Sequence, residues 1–379
     1  MAKQEKVDFI YLDEEDMIEA GVLDMEACVD EMEEVYKLLG AGDYVMGGKN
    51  QNSHGMVLTF PDKPEHEGMP HNGPDRRFCA MPAYLGGKYQ VAGCKWYGSN
   101  LDNLQKELPR SILMMTLNDK DTGAPLAFMS GNLLSAWRTG AIPGVGVRHL
   151  ANPDAEVIGI LGAGSIGTST AESLIKEAKN LKKVKIYDIV YDHSKLLQGR
   201  LMEEYDIDVE IVDSTEELVR GCDILNLATS GEANPTIKEE WVKPGCLITA
   251  SSSGNFDPDF AINRIRLVVD NWAMYEAVVE EDSYPYNNLA MGVLGRQFLD
   301  WIHEGKMTKD IIIDIGDIIN GDVPARESED DIIIFALGGQ PVYDVAWAHY
   351  VYQNAIEKGI GTKLNLWDRA YQARKIKTQ

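Results

Sequence analysis

From about residue 152 onward the apolar positions fall in short runs, at 157–161, 184–187, 209–212, 224–228, 247–250 and 267–269, with helix-compatible segments between them. That alternation predicts a doubly wound parallel sheet, an α/β fold with helices on both faces. A further run at 332–335 supplies the final strand. The helix predicted at 342–358 then returns to the domain that precedes the sheet.

The first part of the chain is patterned differently. Residues 7–12 read as a strand, and Asp13 or Asp16 can cap the acidic helices that follow to about residue 39. Between 46 and 87, prolines 61, 64, 70 and 74 interrupt an alternation at Met56, Leu58 and Phe60, which predicts a hairpin with a long irregular loop. Strand-like runs follow at 91–97, 111–118 and 125–129, with a turn at Asp121-Thr122-Gly123 between the last two. The expectation is an antiparallel α+β domain comprising 1–151 and 340–379, beside a parallel domain at 152–339. Helix 134–150 closes the first segment. Pro143 is expected to kink or break it, and Gly140 and Gly144, four apart, expose one face for close packing. The acidic-aromatic segment 280–288 reads as a surface loop.

Composition narrows the function. Thirty-six basic against 60 acidic residues give a formal charge of −24, which repels polyanions, so nucleic acid is not an expected partner. The short basic tail at 374–379 reads as a frayed end. Five cysteines without a C-x-x-C pair argue for a reducing compartment. No run approaches the ~18 apolar residues of a membrane span. The N-terminus carries no apolar signal core, and the expectation is a cytoplasmic protein.

The loop Gly162-Ala163-Gly164-Ser165-Ile166-Gly167 is a G-x-G-x-x-G motif directly after a predicted strand and at a helix start. In that setting it is a strong dinucleotide signal, since the helix N-terminus offers free N–H groups to a pyrophosphate. Asp188 ends the following strand, where a carboxylate binds ribose hydroxyls and repels a 2′-phosphate. The next residues, Ile189, Val190 and Tyr191, include no cation, so NAD is favoured over NADP. A Rossmann fold that binds no dinucleotide, or another nucleotide, is the alternative. Thr229 and Ser230, then Ser252 and Gly254, follow strands at the sheet edge where ligands bind. Each could equally be an ordinary polar turn.

Two cations stand in apolar surroundings: Lys95 within the strand 91–97, and Arg138 near the start of helix 134–150. A bound anion would complement them. An internal salt bridge to an Asp or Glu, or a lysine reaching out to solvent, would serve as well. His66 and His71 are spaced one residue too far apart for a zinc helix, with Pro70 between them, so no metal site is expected.

Six stretches, taken in order, resemble the ornithine cyclodeaminase/mu-crystallin family: Met81-Pro-Ala-Tyr-Leu-Gly-Gly87, Ala92-Gly-Cys-Lys95-Trp, 117–126, Leu134-Ser-Ala-Trp-Arg138-Thr139-Gly, Ile160-Leu-Gly162-Ala-Gly164 and Gly338-Gly-Gln-Pro-Val-Tyr-Asp344. The resemblance implies that Lys95 and Arg138 bind a substrate α-carboxylate, that Thr139 lies near the cofactor, and that Lys49 is the nearest candidate for a third basic residue. It implies NAD(P)-linked chemistry at the Cα–N bond of a small amino or imino acid, in a homodimer built through the first domain. Lys95 is also a candidate proton donor to an imine nitrogen.

Cyclodeaminases of that family carry an Asp just after the fifth strand of the parallel sheet. Here Gly254 takes that place, and Asp257 reaches it only with a shift of three residues. Asp257 is thus a candidate catalytic acid, or simply the cap of the next helix ahead of Pro258. The departure favours an amino acid dehydrogenase or imine reductase over ornithine cyclisation with recycled NAD. A mu-crystallin-like binding protein is the third possibility.

Overall fold

A computed structural model describes residues 6–229, 234–286 and 293–371. The chain forms two compact units, Met1–Asp24 with Asp43–Ser135 and Pro341–Gln379, and Met25–Gly42 with Ala136–Gln340.

In the first unit one sheet runs in the order Thr362–Trp367, Val7–Leu12, Pro125–Ser130, Ser111–Asp119, Val91–Ser99, Arg77–Leu85 and Tyr44–Met46, and Met56–Thr59 also pairs with Arg77–Leu85. It is not wholly antiparallel as expected, because Val7–Leu12 lies parallel to Pro125–Ser130. Alternation sorts the two faces. Cys79, Met81, Ala83 and Leu85 are buried, while Phe78 and Trp96 stack in the open on the other side. Helix Pro341–Lys358 packs on this sheet and buries Tyr343, Trp347 and Val351. Lys95 pairs in register with Met81 on one side and Met115 on the other, both fully buried, so the alternation directs its ammonium to the helix-covered face.

Among the described residues, the main sheet of the second unit has eight parallel strands in the order Asp208–Ile211, Lys183–Tyr187, Val157–Leu161, Ile224–Leu227, Leu247–Ala250, Ile332–Ala336, Ile265–Val269 and Ile312–Asp314. This is the predicted doubly wound sheet. Its order reverses between Val157–Leu161 and Ile224–Leu227, which opens a crevice at their carboxyl ends.

Helix Met25–Ala41, expected in the first domain, belongs to this second unit. Arg148 explains the correction: its guanidinium reaches Asp30 at 2.8 Å, Glu33 at 2.6 Å and Glu177 at 2.8 Å, tying helix Met25–Ala41 to helices Asn132–Leu150 and Ser165–Glu177. Tyr36 adds a ring contact to Phe335. Burial alone would push the Glu33 carboxyl up, but Arg148, Lys37 and His149 outweigh it and hold it at about 2. A depressed carboxyl contributes stability above its unfolded pKa of about 4.3, and that contribution is lost as pH falls toward 2. Arg148→Ala is therefore expected to lower Tm by about 3 °C at pH 7, a cost on the order of 2 kcal/mol. The gap between the variant and the unchanged protein should close between pH 4.5 and 2 in calorimetric scans, and a gap that persists in acid would remove Glu33 from the account.

Helix Asn132–Leu150 continues through Pro143 instead of breaking there. The proline cannot donate to the Thr139 carbonyl, but packing on both sides of it holds the helix. A Cβ at Gly140 would come within 2.4 Å of the Ser169 hydroxyl, and one at Gly144 within 2.9 Å of Ser173 Cβ. The glycine seam thus admits helix Ser165–Glu177, whose Ser169 and Ser173 hydroxyls donate to the carbonyls of Ala136 and Gly140. Among the described residues no helix is long and apolar enough to cross a membrane.

Candidate active site

The glycine loop divides its work between folding and binding. Gly162 sits at φ +95, and a Cβ there would lie 2.6 Å from the Ala228 carbonyl oxygen. A Cβ on Gly167 would lie 1.9 Å from the Gly162 carbonyl oxygen. Both glycines are thus demanded by the protein's own packing. Gly164 is different: a Cβ there meets nothing within 4 Å. It caps helix Ser165–Glu177 with no side-chain hydrogen bond, so the loop leaves room, and the first helical N–H groups, for an incoming anion.

Asp188 closes the other side. Its Oδ2 accepts from the Ala163 N–H at 2.7 Å and its Oδ1 from the Val190 N–H at 2.7 Å. Each oxygen retains a lone pair for a sugar hydroxyl. Gly162, Gly164, Asp188, Ile189 and Thr229 line one cavity of about 380 Å³, together with Tyr187, Val190, His193, Thr215, Asn234 and Pro235. Sequence reasoning missed these last six. His193 was detectable in principle, since its place in the first turn after Asp188 puts Nδ1 3.6 Å from Oδ1. The space, the free helix terminus and the carboxylate fit an adenine dinucleotide.

At the neighbouring strand ends the Thr229 N–H donates to the Ser252 hydroxyl at 3.1 Å, and the two hydroxyls lie 3.3 Å apart. The Gly254 carbonyl accepts from the side-chain amide of Gln297, a contact not foreseen. Ser230 lies outside the described residues.

In the first unit Lys95 is buried to 3% exposure, and its Nζ stands 2.8 Å from Asp344 Oδ2, itself at 0%. The internal salt bridge left open by the sequence is therefore present. Ser135 Oγ accepts from the same ammonium at 3.3 Å. Lys49 is exposed on a turn closed by Gly47 and Ser53. In the second unit Arg138 is buried at 5% exposure, with Thr139 half-buried beside it.

Asp257 is exposed, caps helix Pro258–Arg264, and accepts from the Phe260 N–H at 3.1 Å, the capping task that its place ahead of Pro258 allows.

A family model described as the ornithine cyclodeaminase/mu-crystallin family matches residues 22–359. N-((2S)-2-amino-2-carboxyethyl)-L-glutamate dehydrogenase of Staphylococcus aureus is 27% identical over 364 residues, covering 95% of this chain and 99% of that protein. Alanine dehydrogenase of Archaeoglobus fulgidus is 32% identical over 292 residues, covering 76% of this chain and 83% of the relative. Among solved structures, an archaeal alanine dehydrogenase dimer with bound NAD superposes with a TM-score of 0.76 at 27% identity, covering 95% of this chain and all of that one.

Proposed function

The chain belongs to the ornithine cyclodeaminase/mu-crystallin family, and from that premise we propose that it is an NAD-dependent oxidoreductase acting at the Cα–N bond of an amino or imino acid. The observation that carries the proposal is Gly164, a glycine that the protein's own packing does not require, facing Asp188 across a cavity of dinucleotide-binding character. Relatives named as an alanine dehydrogenase and as a dehydrogenase of an N-substituted glutamate support the reaction class.

Bound there, NAD supplies or accepts a hydride. The chain's own residues do the rest. The helix start at Ser165–Gly167 holds the pyrophosphate, Asp188 the adenosine ribose, and Thr229 and Ser252 the nicotinamide half. Arg138, with its planar fork, and Lys95, as a point charge, take the substrate carboxylate. The first acid after strand Leu247–Ala250 is Asp257, already engaged as a cap, which favours simple oxidation or reduction over deaminating cyclisation. Cytoplasmic residence and a homodimer complete the proposal; the archaeal neighbour is itself a dimer.

The test is incubation with NAD and a panel of amino acids, and with NADH and cyclic imino acids, followed at 340 nm. Net formation or loss of NADH is expected. Ammonia release without net NADH would identify a cyclodeaminase instead, and neither product despite bound dinucleotide would identify a binding protein. Asp188→Ala is expected to lower the preference for NAD over NADP by about 10- to 100-fold in kcat/KM. If the unchanged protein already prefers NADP, the role given to this carboxylate is wrong.

A further inference from the structure

We propose that the site takes an amino or imino acid whose side chain ends in a second carboxylate, and that Arg77, on the strand beside Lys95, binds that distal group. The inference rests on the reading that an amino or imino acid binds at Lys95, and it names the substrate class of that site.

Register lays out the row. Strands Arg77–Leu85 and Val91–Ser99 pair Met81 with Lys95, Cys79 with Tyr97 and Arg77 with Ser99, so alternation turns Lys95, Tyr97 and Arg77 to one face of the sheet. The Tyr97 ring links the two cations: its centre is 5.9 Å from Lys95 Nζ and 6.0 Å from Arg77 Cζ. The Lys95 side chain is shut in at 3% exposure, whereas that of Arg77 keeps 19% and that of Arg110, beyond it, 44%. The row therefore opens to solvent at its arginine end.

Charge at that end is left over. Among the described residues, Asp75 is the one carboxylate paired with Arg77 and with Arg110, and it also accepts from the Ser99 hydroxyl. Burial alone would push its carboxyl up, but Arg110, Ser99 and Arg77 outweigh that and hold it below its ordinary value, so it stands ionised. Two guanidiniums against one carboxylate leave a net positive charge. Arg76 adds nothing to it, being matched by Asp102 at 2.9 Å. Arg77 also has donors to spare: of its five N–H groups, Nη1 serves Asp75, the Tyr97 hydroxyl engages the guanidinium as well, and the buried Nε–H meets no acceptor. An unbalanced charge and an unmet donor are both answered by an arriving carboxylate, and a neutral side chain leaves the charge uncompensated. With its backbone carboxylate at Lys95, an acidic amino acid extending along Tyr97 brings its second carboxylate to Arg77.

Titration calorimetry on the protein saturated with NADH tests this, with L-aspartate, L-glutamate and L-2-aminoadipate each set against its side-chain amide. NADH and an amino acid are both reduced and do not react, so binding is read without turnover. At least one acid should bind about 10-fold or more tightly than its amide. In Arg77→Gln that preference should vanish, while Kd for the amide stays within about twofold. Arg77→Lys, which keeps the charge and loses the fork, should retain part of the preference. The absence of any preference for acid over amide in the unchanged protein, or a preference that survives in Arg77→Gln, overturns the proposal. The unchanged protein and Arg77→Lys decide the matter even where Arg77→Gln does not fold. A panel without turnover would sink the oxidoreductase reading, and an acid preference lost in Arg77→Gln would still assign the acidic ligand to Arg77.

Discussion

Truncating Arg138 to alanine is expected to raise KM for the amino or imino acid by about 100-fold or more, roughly 3 kcal/mol, the scale of a desolvated bidentate guanidinium–carboxylate pair. Over the same change Kd for NADH should stay within about threefold. The split follows from what each group can do. Arg138 is buried at 5% exposure, whereas the surfaces proposed for the dinucleotide are backbone N–H groups, the Asp188 carboxylate and two hydroxyls. The helix carrying Arg138 is anchored by the glycine seam against Ser169 and Ser173, which the substitution leaves intact. Arg138→Lys keeps the charge and loses the fork, so it should recover only part of the affinity. Equal loss of NADH and substrate binding would make Arg138 a support of the cofactor or the fold, and an unchanged KM would place the carboxylate elsewhere.

The parallel sheet was legible because strands covered on both faces become uninterrupted apolar runs, and seven of its eight strands were foreseen nearly to the residue. The exception, Ile312–Asp314, is three half-buried residues on the sheet edge. The C-terminal strand Thr362–Trp367 was missed for a related reason: all its residues are exposed, so it pairs with Val7–Leu12 without leaving a pattern of burial. Helix Met25–Ala41 has an ordinary amphipathic sequence, and its partners in the second unit, among them Arg148 and helix Ile315–Asn320, lie over a hundred positions away, which no local pattern encodes. The same limit hid the partner of Lys95. Asp344 lies within a recognisable terminal motif, but only the packing of helix Pro341–Lys358 on strand Val91–Ser99 reveals that its carboxylate meets that lysine. Asp257 shows the converse. Its local signature, an acid before a proline at a helix start, is enough to foretell the capping bond without any knowledge of distant packing.

Single methyl groups placed on two glycines of one loop should have opposite consequences. Gly167→Ala is expected to cost about 3 kcal/mol or more, or to abolish folding, because its Cβ would lie 1.9 Å from the Gly162 carbonyl oxygen, with backbone on both sides of the collision. Gly164→Ala should leave Tm within about 2 °C, since its Cβ meets no protein atom within 4 Å and its φ of −75 is open to any residue. Its cost should fall instead on the ligand, with NAD affinity reduced by about 30-fold or more as the methyl stands where a pyrophosphate approaches the backbone. Thermal melts with titration calorimetry against NADH separate the two. Unaltered NADH affinity in Gly164→Ala would move the pyrophosphate away from this loop, leaving Gly162 and Gly167 as the requirements of a tight turn alone. Loss confined to binding would instead mark Gly164 as the one glycine of the three retained for the ligand, the distinction on which the oxidoreductase reading depends.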